Sequence, residues 1–242
     1  MLLTLPVTAV RRETPRNRVV TLALGKTDFP FQAGQYVLLG DHGQPDRRPY
    51  SIACAPLACA GRHTLEFLVQ VDGNESPGPH VMELAPGRLL DVEGPAGSFV
   101  LPVPLAAHRV LFVGGGTGIA PLRAMLWQVV MSDARCRVAM LHSARTPDEL
   151  SFGSELRQLA DEGRIRLIET VTRDAPEGWP GARGRIDSGQ LGSLIEGPGT
   201  LCFVCGPDSL VEDVPRQLEA LGIAPRLIGT EHWADLPNST DV

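Results

Sequence analysis

The sequence predicts two domains of different classes: an antiparallel β-barrel over residues 1–103 and a doubly wound parallel α/β domain over residues 104–242. In the first part, short apolar runs are separated by glycine and proline, as in a barrel or sandwich. In the second part, buried strands alternate with helices, as in a parallel sheet covered on both faces. Between them, the stretch LPVPLAAH at 101–108 contains two prolines, which interrupt regular structure and indicate a linker.

The barrel strands are predicted from runs rich in valine, leucine and phenylalanine. Leu65, Phe67 and Val69 recur at every second position, which is the period of a strand with one face toward a core. One short helix is expected at HVMEL (80–84), just before a Pro-Gly pair. The runs are TAVRRET (8–14), RVVTLALG (18–25), GQYVLLG (34–40), RPYSIACA (48–55), HTLEFLVQV (63–71) and RLLDVEGPAG (88–97).

In the second domain the apolar strands lead into helices, and ligands bind such sheets at the carboxyl ends of the strands. The strand RIRLIETV (164–171) is expected to lead into a loop instead. The strand and helix pairs are RVLFVGG (109–115) with APLRAMLWQVVMS (120–132), RVAMLHSA (137–144) with DELSFGSELRQLADEG (148–163), and TLCFVCG (200–206) with PDSLVEDVPRQLEALG (207–222).

Composition argues against several classes of protein. A net charge of -6 does not suit a protein that coats nucleic acid, because phosphate contacts need clustered lysine and arginine. No apolar run of about 18 residues is present, so no membrane span is predicted. The five cysteines lack regular spacing, which favours reduced thiols and a cytoplasmic location. Cys202 and Cys205 form a C-x-x-C, but no second Cys or His pair has the spacing of a zinc site, so no metal is predicted.

A glycine-rich turn, GGGTGIAP (114–121), follows a buried strand and precedes a helix. Glycine allows a close approach to a ligand, and the amides at a helix start attract phosphate. The spacing matches neither the Rossmann fingerprint nor a P-loop, because Ile119 stands where both need a small residue. The turn therefore indicates dinucleotide or phosphate binding, or simply a tight connection. A second turn, CGP (205–207), ends another strand, so that Cys205 and Thr117 are expected to face one crevice.

The stretch RRPYSIA (47–53) places two cations beside one of only two tyrosines. Solvated charge and core packing would explain these residues. The alternative is a ligand that is both anionic and aromatic, such as a phosphorylated ring cofactor.

RPYS, GGGTGIAP and CGP, in this order, resemble the motifs of the ferredoxin–NADP reductase superfamily. GQY (34–36), DVEGPAGSF (91–99) and TEHW (230–233) agree with that resemblance, which covers nearly the whole chain. Each motif is weak by itself, whereas their order and spacing are specific. The resemblance implies an oxidoreductase in which hydride passes from the nicotinamide C4 of NAD(P)H to the flavin N5.

In the barrel, the resemblance assigns roles within one short motif, which includes Pro49. Arg48 is expected to pair with the flavin phosphate through its forked guanidinium. Tyr50 is expected to pack against the flavin ring, and Ser51 to hydrogen-bond near N5. Arg47 has no such role and is expected to be a solvated charge.

Relatives bind the flavin pyrophosphate in a segment that corresponds to residues 73–83. Gly78, His80 and Val81 are expected to serve here, with amides at a helix start. The usual serine or threonine is missing, since the sequence reads Gly78-Pro79-His80. The implied flavin is FAD, with FMN or a loosely bound free flavin as alternatives.

For the second domain, the resemblance implies a pyridine-nucleotide site with Cys205 beside the nicotinamide. Ser51, Cys205 and Glu231 are the candidate catalytic residues. Trp233 is expected to cover the flavin ring or to pack in the core. The residues expected at the nucleotide are Gly115, Gly116, Thr117, Gly118, Ser143, Arg145, Thr172, Arg173, Cys205, Gly206 and Pro207.

The choice between NADPH and NADH depends on charge beside the adenosine ribose. Ser143, Arg145, Thr172 and Arg173 resemble the positions that bind the 2'-phosphate in NADP-using relatives, and no acid immediately ends the second strand. These positions favour NADPH, although an arginine such as Arg145 also occurs in relatives that accept NADH.

The electron acceptor is expected to be a separate redox protein, a ferredoxin or an oxygenase component, because the plant-type C-x4-C-x2-C run is absent from the chain. One alternative is a reductase of free flavin, which would bind flavin as a substrate. The alternative from another class is a non-catalytic, nucleotide-binding, redox-sensing subunit.

Overall fold

The computed structural model describes residues 1–103, 105, 109–132, 135–232 and 236. The strands are β1 (Leu2–Arg12), β2 (Asn17–Ala23), β3 (Tyr36–Asp41), β4 (Arg48–Ser51), β5 (Thr64–Gln70), β6 (Leu89–Ala96), β7 (Arg109–Gly115), β8 (Arg137–Ala144), β9 (Arg166–Val171), β10 (Ala182–Arg183), β11 (Leu201–Cys205) and β12 (Ile228–Glu231). The α-helices are α1 (Pro56–Arg62), α2 (Ile119–Ser132), α3 (Gly153–Asp161), α4 (Ser188–Leu194) and α5 (Asp208–Ala220).

The described chain divides into two compact units. The first contains residues 1–101 and 123–128, and the second contains residues 102–122 and 129–232. No α-helix in the described ranges is both long and apolar enough to span a bilayer.

The first unit contains an antiparallel sheet in the order β4-β3-β6-β1-β2-β5. A bridge between Ile52 and Phe67 brings the two edge strands together, so the sheet nearly closes into a barrel. Closure directs alternate side chains of every strand into one interior. The predicted β-barrel is confirmed. Its fully buried side chains include Val20, Leu22, Val37, Leu39, Ile52, Leu65, Phe67, Leu90 and Val92.

The second unit contains a parallel sheet in the order β10-β9-β8-β7-β11-β12. From β7 the chain moves outward through β8 and β9, and it then returns to add β11 and β12 on the other side of β7. This reversal places a topological switch point between β7 and β11, where open α/β sheets form a crevice at the carboxyl ends of the strands. The predicted doubly wound fold is confirmed.

The helix predicted at 80–84 is wrong. The amide of Met82 donates to the Asp41 carboxylate at 2.9 Å, and the amide of Val81 donates to the Gly78 carbonyl at 3.2 Å. Gly78 has a φ of 121°, which lies outside the helical region. The segment is therefore an irregular loop fixed by β3 rather than a helix.

Two short helices were not predicted. Helix α1 begins with Pro56, whose fixed φ suits the first helical position. Helix α4 begins with a capping box, in which the Asp187 side chain accepts from the Gln190 amide and the Gln190 side chain accepts from the Asp187 amide. The signature of this box, D-S-G-Q, is visible in the sequence.

The expectation that all cysteines are reduced is wrong for one pair. Cys54 and Cys59 form a disulfide with their Cα atoms 6.3 Å apart. Helix α1 makes this pairing possible because it turns the chain back, placing Cys59 within bridging distance of Cys54. Cys136, Cys202 and Cys205 are buried cysteines without a disulfide.

One buried histidine belongs to the second sheet. His142 on β8 is fully buried, and neither of its ring nitrogens has a hydrogen-bond partner among the described residues. Burial, followed by the charge of Arg157, lowers the pKa of His142 from 6.5 to about 4. The unfolded chain therefore binds a proton near pH 6.5 that the folded chain does not accept until about pH 4.

This difference predicts that acid destabilises the second unit. Between pH 7 and pH 5 the unfolded state gains protons and the folded state does not, so the free energy of unfolding should fall by about 2 kcal/mol through His142. Urea unfolding at the two pH values should show that loss in the wild type and a smaller loss in His142→Met. The control is His63→Asn, an exposed position with φ of 53° that asparagine adopts readily. Equal pH dependence in His142→Met and the wild type would contradict the assignment.

Candidate active site

The short motif predicted for the flavin forms the edge strand β4 of the barrel sheet. Its proline, Pro49, is compatible with an edge because it lacks an amide for a second neighbour. Tyr50 pairs with Val37 and Ser51 pairs with Tyr36 on β3. Along β4 the burial increases, from an exposed side chain at the first residue to a buried Ser51 at the last.

The two arginines of the motif have different surroundings. Arg47 is wrongly predicted as a solvated charge, because its Nη2 lies 3.0 Å from the Glu93 carboxylate and its side chain is 18% exposed. Arg48 is 47% exposed, and its guanidinium lies 3.9 Å from the Asp46 carboxylate. An exposed ion pair at that distance contributes little. The Arg48 guanidinium is therefore accessible to an anion.

Tyr50 lies against a buried histidine. Its hydroxyl is 2.8 Å from Nε2 of His80, and the two rings stack at 27° with centroids 5.6 Å apart. Burial raises the pKa of Tyr50 to about 12, opposed by the Arg48 charge. Burial, together with Arg48, lowers the pKa of His80. At neutral pH both groups are therefore uncharged, and they share one hydrogen bond between hydroxyl and ring nitrogen.

The second ring nitrogen of His80 is buried without a partner. His80 is 1% exposed, and its Nδ1 makes no hydrogen bond within the described residues. A Cβ on Gly78 would lie 3.4 Å from this nitrogen, so the backbone of the loop passes directly beside it. Val81, also expected at the flavin, is 1% exposed and packs in the barrel core. The loop thus offers an unpaired polar group at His80.

In the second unit, the two predicted turns pack against each other at the switch point. A Cβ on Gly118 would lie 2.3 Å from the carbonyl oxygen of Cys205, and one on Gly206 would lie 3.1 Å from the amide nitrogen of Gly115. A Cβ on Gly115 would lie 3.1 Å from the ring of Pro207. Only glycine allows this approach of β7 and β11.

The outer side of the glycine turn is open. Gly116 has a φ of 57°, and a Cβ there would meet nothing within 4 Å. Gly116 is exposed and Thr117 half-buried, and together with Gly118 they form a short 3₁₀ turn that leads into α2. The turn therefore presents its backbone to an unfilled space at a helix start, the arrangement that binds phosphate.

Two candidate catalytic residues meet at the ends of neighbouring strands. Cys205 pairs with Glu231 across β11 and β12, and the thiol sulfur lies 3.8 Å from Oε2 of the carboxylate. Both side chains are buried. Cys202, three residues earlier, faces the other side of the sheet, because side chains alternate along a strand. Burial raises the pKa of Cys202 to about 12.

The residues predicted to distinguish NADPH from NADH are adjacent. The amide of Arg173 donates to the carbonyl of Arg145 at 2.8 Å, and the amide of Thr172 donates to the carbonyl of Ala144 at 3.0 Å. Both arginine side chains are exposed. Ser143 pairs with Gly115 where β8 lies beside β7. The carboxyl edge of the sheet therefore carries the glycine turn and a pair of cations.

Trp233, which was expected to cover the flavin ring or to pack in the core, lies outside the described residues. No group of three or more His, Cys, Asp or Glu suited to a metal occurs in the described part of the chain. The Tyr50–His80 contact was not anticipated, because its two residues lie 30 positions apart and no local pattern connects them. The proximity of Asp46 to Arg48 was also not predicted.

A flavin-type motif on a β-barrel and a glycine turn at the switch point of a parallel sheet define a two-domain flavin oxidoreductase that uses a pyridine nucleotide. Comparisons with known proteins identify its family.

The family model described as "Oxidoreductase NAD-binding domain" matches residues 112–216. The chain is 33% identical to ferredoxin–NADP reductase B of Sorangium cellulosum over 239 residues, covering 93% of this chain and 95% of that protein. It is 30% identical to an NADPH oxidoreductase of Mycobacterium tuberculosis over 227 residues, covering 91% and 57% respectively. The solved structure of the cytochrome P450 reductase GcoB from Amycolatopsis is 28% identical, with a TM-score of 0.79, over 96% of this chain and 70% of that one.

The chain belongs to the ferredoxin–NADP reductase superfamily and is an NAD(P)H-dependent flavin oxidoreductase. The predicted family and enzyme class are confirmed. The chain spans nearly the whole length of the Sorangium reductase but little more than half of the Mycobacterium oxidoreductase.

The Tyr50–His80 contact predicts coupled effects on stability. Tyr50→Phe removes one partner of a buried hydrogen bond and should lower the free energy of unfolding by about 1–2 kcal/mol. His80→Leu removes the other partner, and the double variant should be less destabilised than the sum of the two by about 1 kcal/mol. Urea unfolding of all four proteins measures this coupling. Strict additivity would show that the 2.8 Å contact contributes no interaction energy.

Proposed function

We propose that this chain holds a flavin on its barrel, takes reducing equivalents from NADPH or NADH, and passes electrons to a separate redox protein such as a ferredoxin or an oxygenase component. The observation that carries the proposal is the grouping of Arg48, Tyr50 and His80. It combines an accessible guanidinium, an aromatic ring and a buried nitrogen that no described residue hydrogen-bonds.

The residues present fit a phosphorylated ring cofactor. The Arg48 guanidinium suits a phosphate, which it can bind through two hydrogen bonds. The Tyr50 ring is held by stacking on His80, so it offers an apolar surface of fixed orientation. Nδ1 of His80 needs a polar partner, since a buried ring nitrogen without one costs free energy. A flavin and its phosphate-bearing tail supply all three complements.

The residues of the second unit fit a pyridine dinucleotide. The open side of the turn at Gly116 suits a pyrophosphate, which backbone amides at a helix start bind well. Arg145 and Arg173 are exposed and backbone-paired, which suits the 2'-phosphate of NADPH. We therefore propose NADPH as the preferred coenzyme.

A flavin held by Arg48 and Tyr50 would supply the redox chemistry, namely two-electron hydride acceptance and one-electron donation. The chain supplies orientation and control of protons. Ser51 is a buried hydroxyl at the end of β4, where it can donate a hydrogen bond to a ring nitrogen. Glu231 orients the Cys205 thiol and holds a carboxylate in a position shielded from water. The close packing of the Gly118 turn fixes the nucleotide-binding backbone in advance of binding, which reduces the ordering that binding requires.

Two relatives support an external protein as the electron acceptor. The Sorangium protein is named a ferredoxin–NADP reductase and the Amycolatopsis protein a cytochrome P450 reductase. The present chain contains no C-x4-C-x2-C run that would bind a plant-type iron–sulfur cluster. A one-electron carrier outside the chain is therefore the proposed acceptor.

A reductase of free flavin is the second candidate, and one observation favours it. Residues 80–84 form no helix, and the amide of Met82 is already bonded to Asp41. This loop therefore offers fewer amides to a flavin pyrophosphate than a helix start would. Weak retention of FAD would follow.

The absorption spectrum of the purified protein tests the proposal. We expect flavin bands in the protein as purified, and NADPH oxidation that is coupled to reduction of an added ferredoxin. Arg48→Gln should lower flavin affinity at least about tenfold, because a charge-assisted hydrogen bond contributes about 1.5–3 kcal/mol. Arg62→Gln, an exposed arginine of the same unit, is the matched control and should retain flavin.

Each alternative result has a distinct meaning. Colourless protein that oxidises NADPH only with added FMN or riboflavin would support the free-flavin reductase. Protein that binds no flavin in any form would overturn both candidates. Equal losses in Arg48→Gln and Arg62→Gln would remove the proposed phosphate contact.

The paired arginines predict a coenzyme preference that substitutions should reverse. Arg145→Gln and Arg173→Gln should each raise the KM for NADPH about tenfold and leave the KM for NADH nearly unchanged, since only NADPH carries the 2'-phosphate. Arg226→Gln, another exposed arginine of the second unit, is the control. Steady-state kinetics with both coenzymes provide the measurement, and an equal rise for NADH would contradict the assignment.

A further inference from the structure

A second concave site lies at the opposite edge of the parallel sheet. It is a cavity of about 670 Å³ where the amino ends of β7, β8 and β9 meet the ends of α2, α3 and α4. That volume lies within the range of small-molecule sites. The length of β7 separates this edge from the glycine turn by roughly 20 Å. The cavity is therefore distinct from the proposed nucleotide site.

The cavity is strongly cationic in a chain of net charge -6. One carboxylate, Glu196, lies within 4.0 Å of three guanidiniums: 2.7 Å from Arg137, 3.4 Å from Arg166 and 3.8 Å from Arg109. A single negative charge cannot neutralise three positive ones. The charged residues that line the cavity in the described part of the chain are Arg109, Arg135, Arg137, Arg164, Arg166 and Glu196.

Part of the positive charge has a structural role. Arg164 donates to the carbonyl of Val130 near the end of α2, and Arg166 donates to the carbonyl of Ser193 in α4. These bonds satisfy carbonyl groups that helix ends leave unpaired. They also hold the two guanidiniums in place beside the cavity, so a ligand would meet preorganised cations.

One buried polar atom beside the cavity lacks a hydrogen bond within the described residues. Nε of Arg109 is buried and makes no hydrogen bond to any described residue, with the Glu196 carboxylate 3.8 Å away. The Arg109 side chain as a whole is 41% exposed, but its Nε is shielded from water, and a buried donor without a hydrogen bond costs free energy. An anion in the cavity would supply the missing acceptor.

Apolar side chains also line the cavity, behind the charged ones. Its apolar side chains include Val110, Val130, Val138, Ala139, Ile165 and Leu194. An apolar floor beneath a cationic rim favours a ligand with an apolar or aromatic body and an anionic group. Guanidinium pairs suit the geometry of a phosphate in particular.

We propose that this cavity, defined by Glu196 and the five arginines, binds a small phosphate ester carried on an aromatic or apolar body. The phosphate contacts Arg109, Arg137 and Arg166 in partial competition with Glu196, and the body lies on the apolar floor. This site is distinct from the proposed nucleotide site at the carboxyl edge of the same sheet.

Isothermal titration with phenyl phosphate tests the proposal on protein saturated with FAD and NADP⁺, which fill the coenzyme sites. We expect a dissociation constant below about 1 mM, a modest affinity suited to a ligand of this size. The variant Arg137→Gln/Arg166→Gln should bind at least about tenfold more weakly. Glu196→Gln should bind several-fold more tightly, because it removes the competing carboxylate. Arg216→Gln, an exposed arginine on α5, is the control and should match the wild type.

A folding defect would weaken phenyl phosphate binding in both cavity variants. The opposite effects expected for the two variants therefore distinguish a change in the site from misfolding. No binding to the wild type, unchanged binding in both cavity variants, or an equal loss in Arg216→Gln would overturn the proposal. Inorganic phosphate that binds as tightly as phenyl phosphate would also overturn it, because the apolar floor would then have no role. Flavin spectra and NADPH oxidation should be unchanged in every variant, which separates this test from that of the proposed function.

Discussion

The close contact between two backbone turns is the constraint on which the second unit depends. The glycine turn after β7 lies so near the end of β11 that a side chain on Gly118 would overlap the carbonyl of Cys205. That contact holds the two turns together at the switch point and leaves the outer side of Gly116 open, while the pairing of β11 with β12 places Cys205 beside Glu231. The turn proposed to bind a nucleotide and the strand end that carries the buried thiol can therefore approach each other because Gly118 has no side chain.

In the barrel, the corresponding constraint is the burial of two polar side chains, Tyr50 and His80. Tyr50 and His80 are uncharged at neutral pH because burial disfavours their charged forms, and they satisfy one another with a single hydrogen bond. This pairing leaves Nδ1 of His80 without a partner among the described residues, and nearby the exposed Arg48 guanidinium lies 3.9 Å from the Asp46 carboxylate. A barrel that binds no ligand has no evident reason to keep either group in this condition. The cost in stability is understandable if a ligand restores the missing partners.

The sequence was sufficient for features that depend on local pattern. Period-two alternation identified the barrel strands, and apolar strands followed by glycine turns identified the parallel sheet. It was insufficient where distant residues decide the outcome: residues 80–84 form no helix because Asp41, 41 positions before Met82, accepts its amide. The Cys54–Cys59 disulfide depends on the unpredicted helix α1 between them. The capping box of α4 depends on two residues close in sequence, Asp187 and Gln190, so the start of that helix is predictable from local pattern.

The parallel sheet explains why its two edges carry different chemistry. At the carboxyl edge, helices begin and their amides attract anions, so glycines suffice to bring the backbone near a phosphate. At the amino edge, helices end in unpaired carbonyls that favour cations. Arg164 and Arg166 satisfy these carbonyls, yet the single carboxylate of Glu196 lies within 4.0 Å of three guanidiniums, those of Arg109, Arg137 and Arg166. Capping therefore accounts for the presence of arginine at this edge but not for its number, and the surplus of positive charge around an apolar floor is what distinguishes a binding site from a set of helix caps.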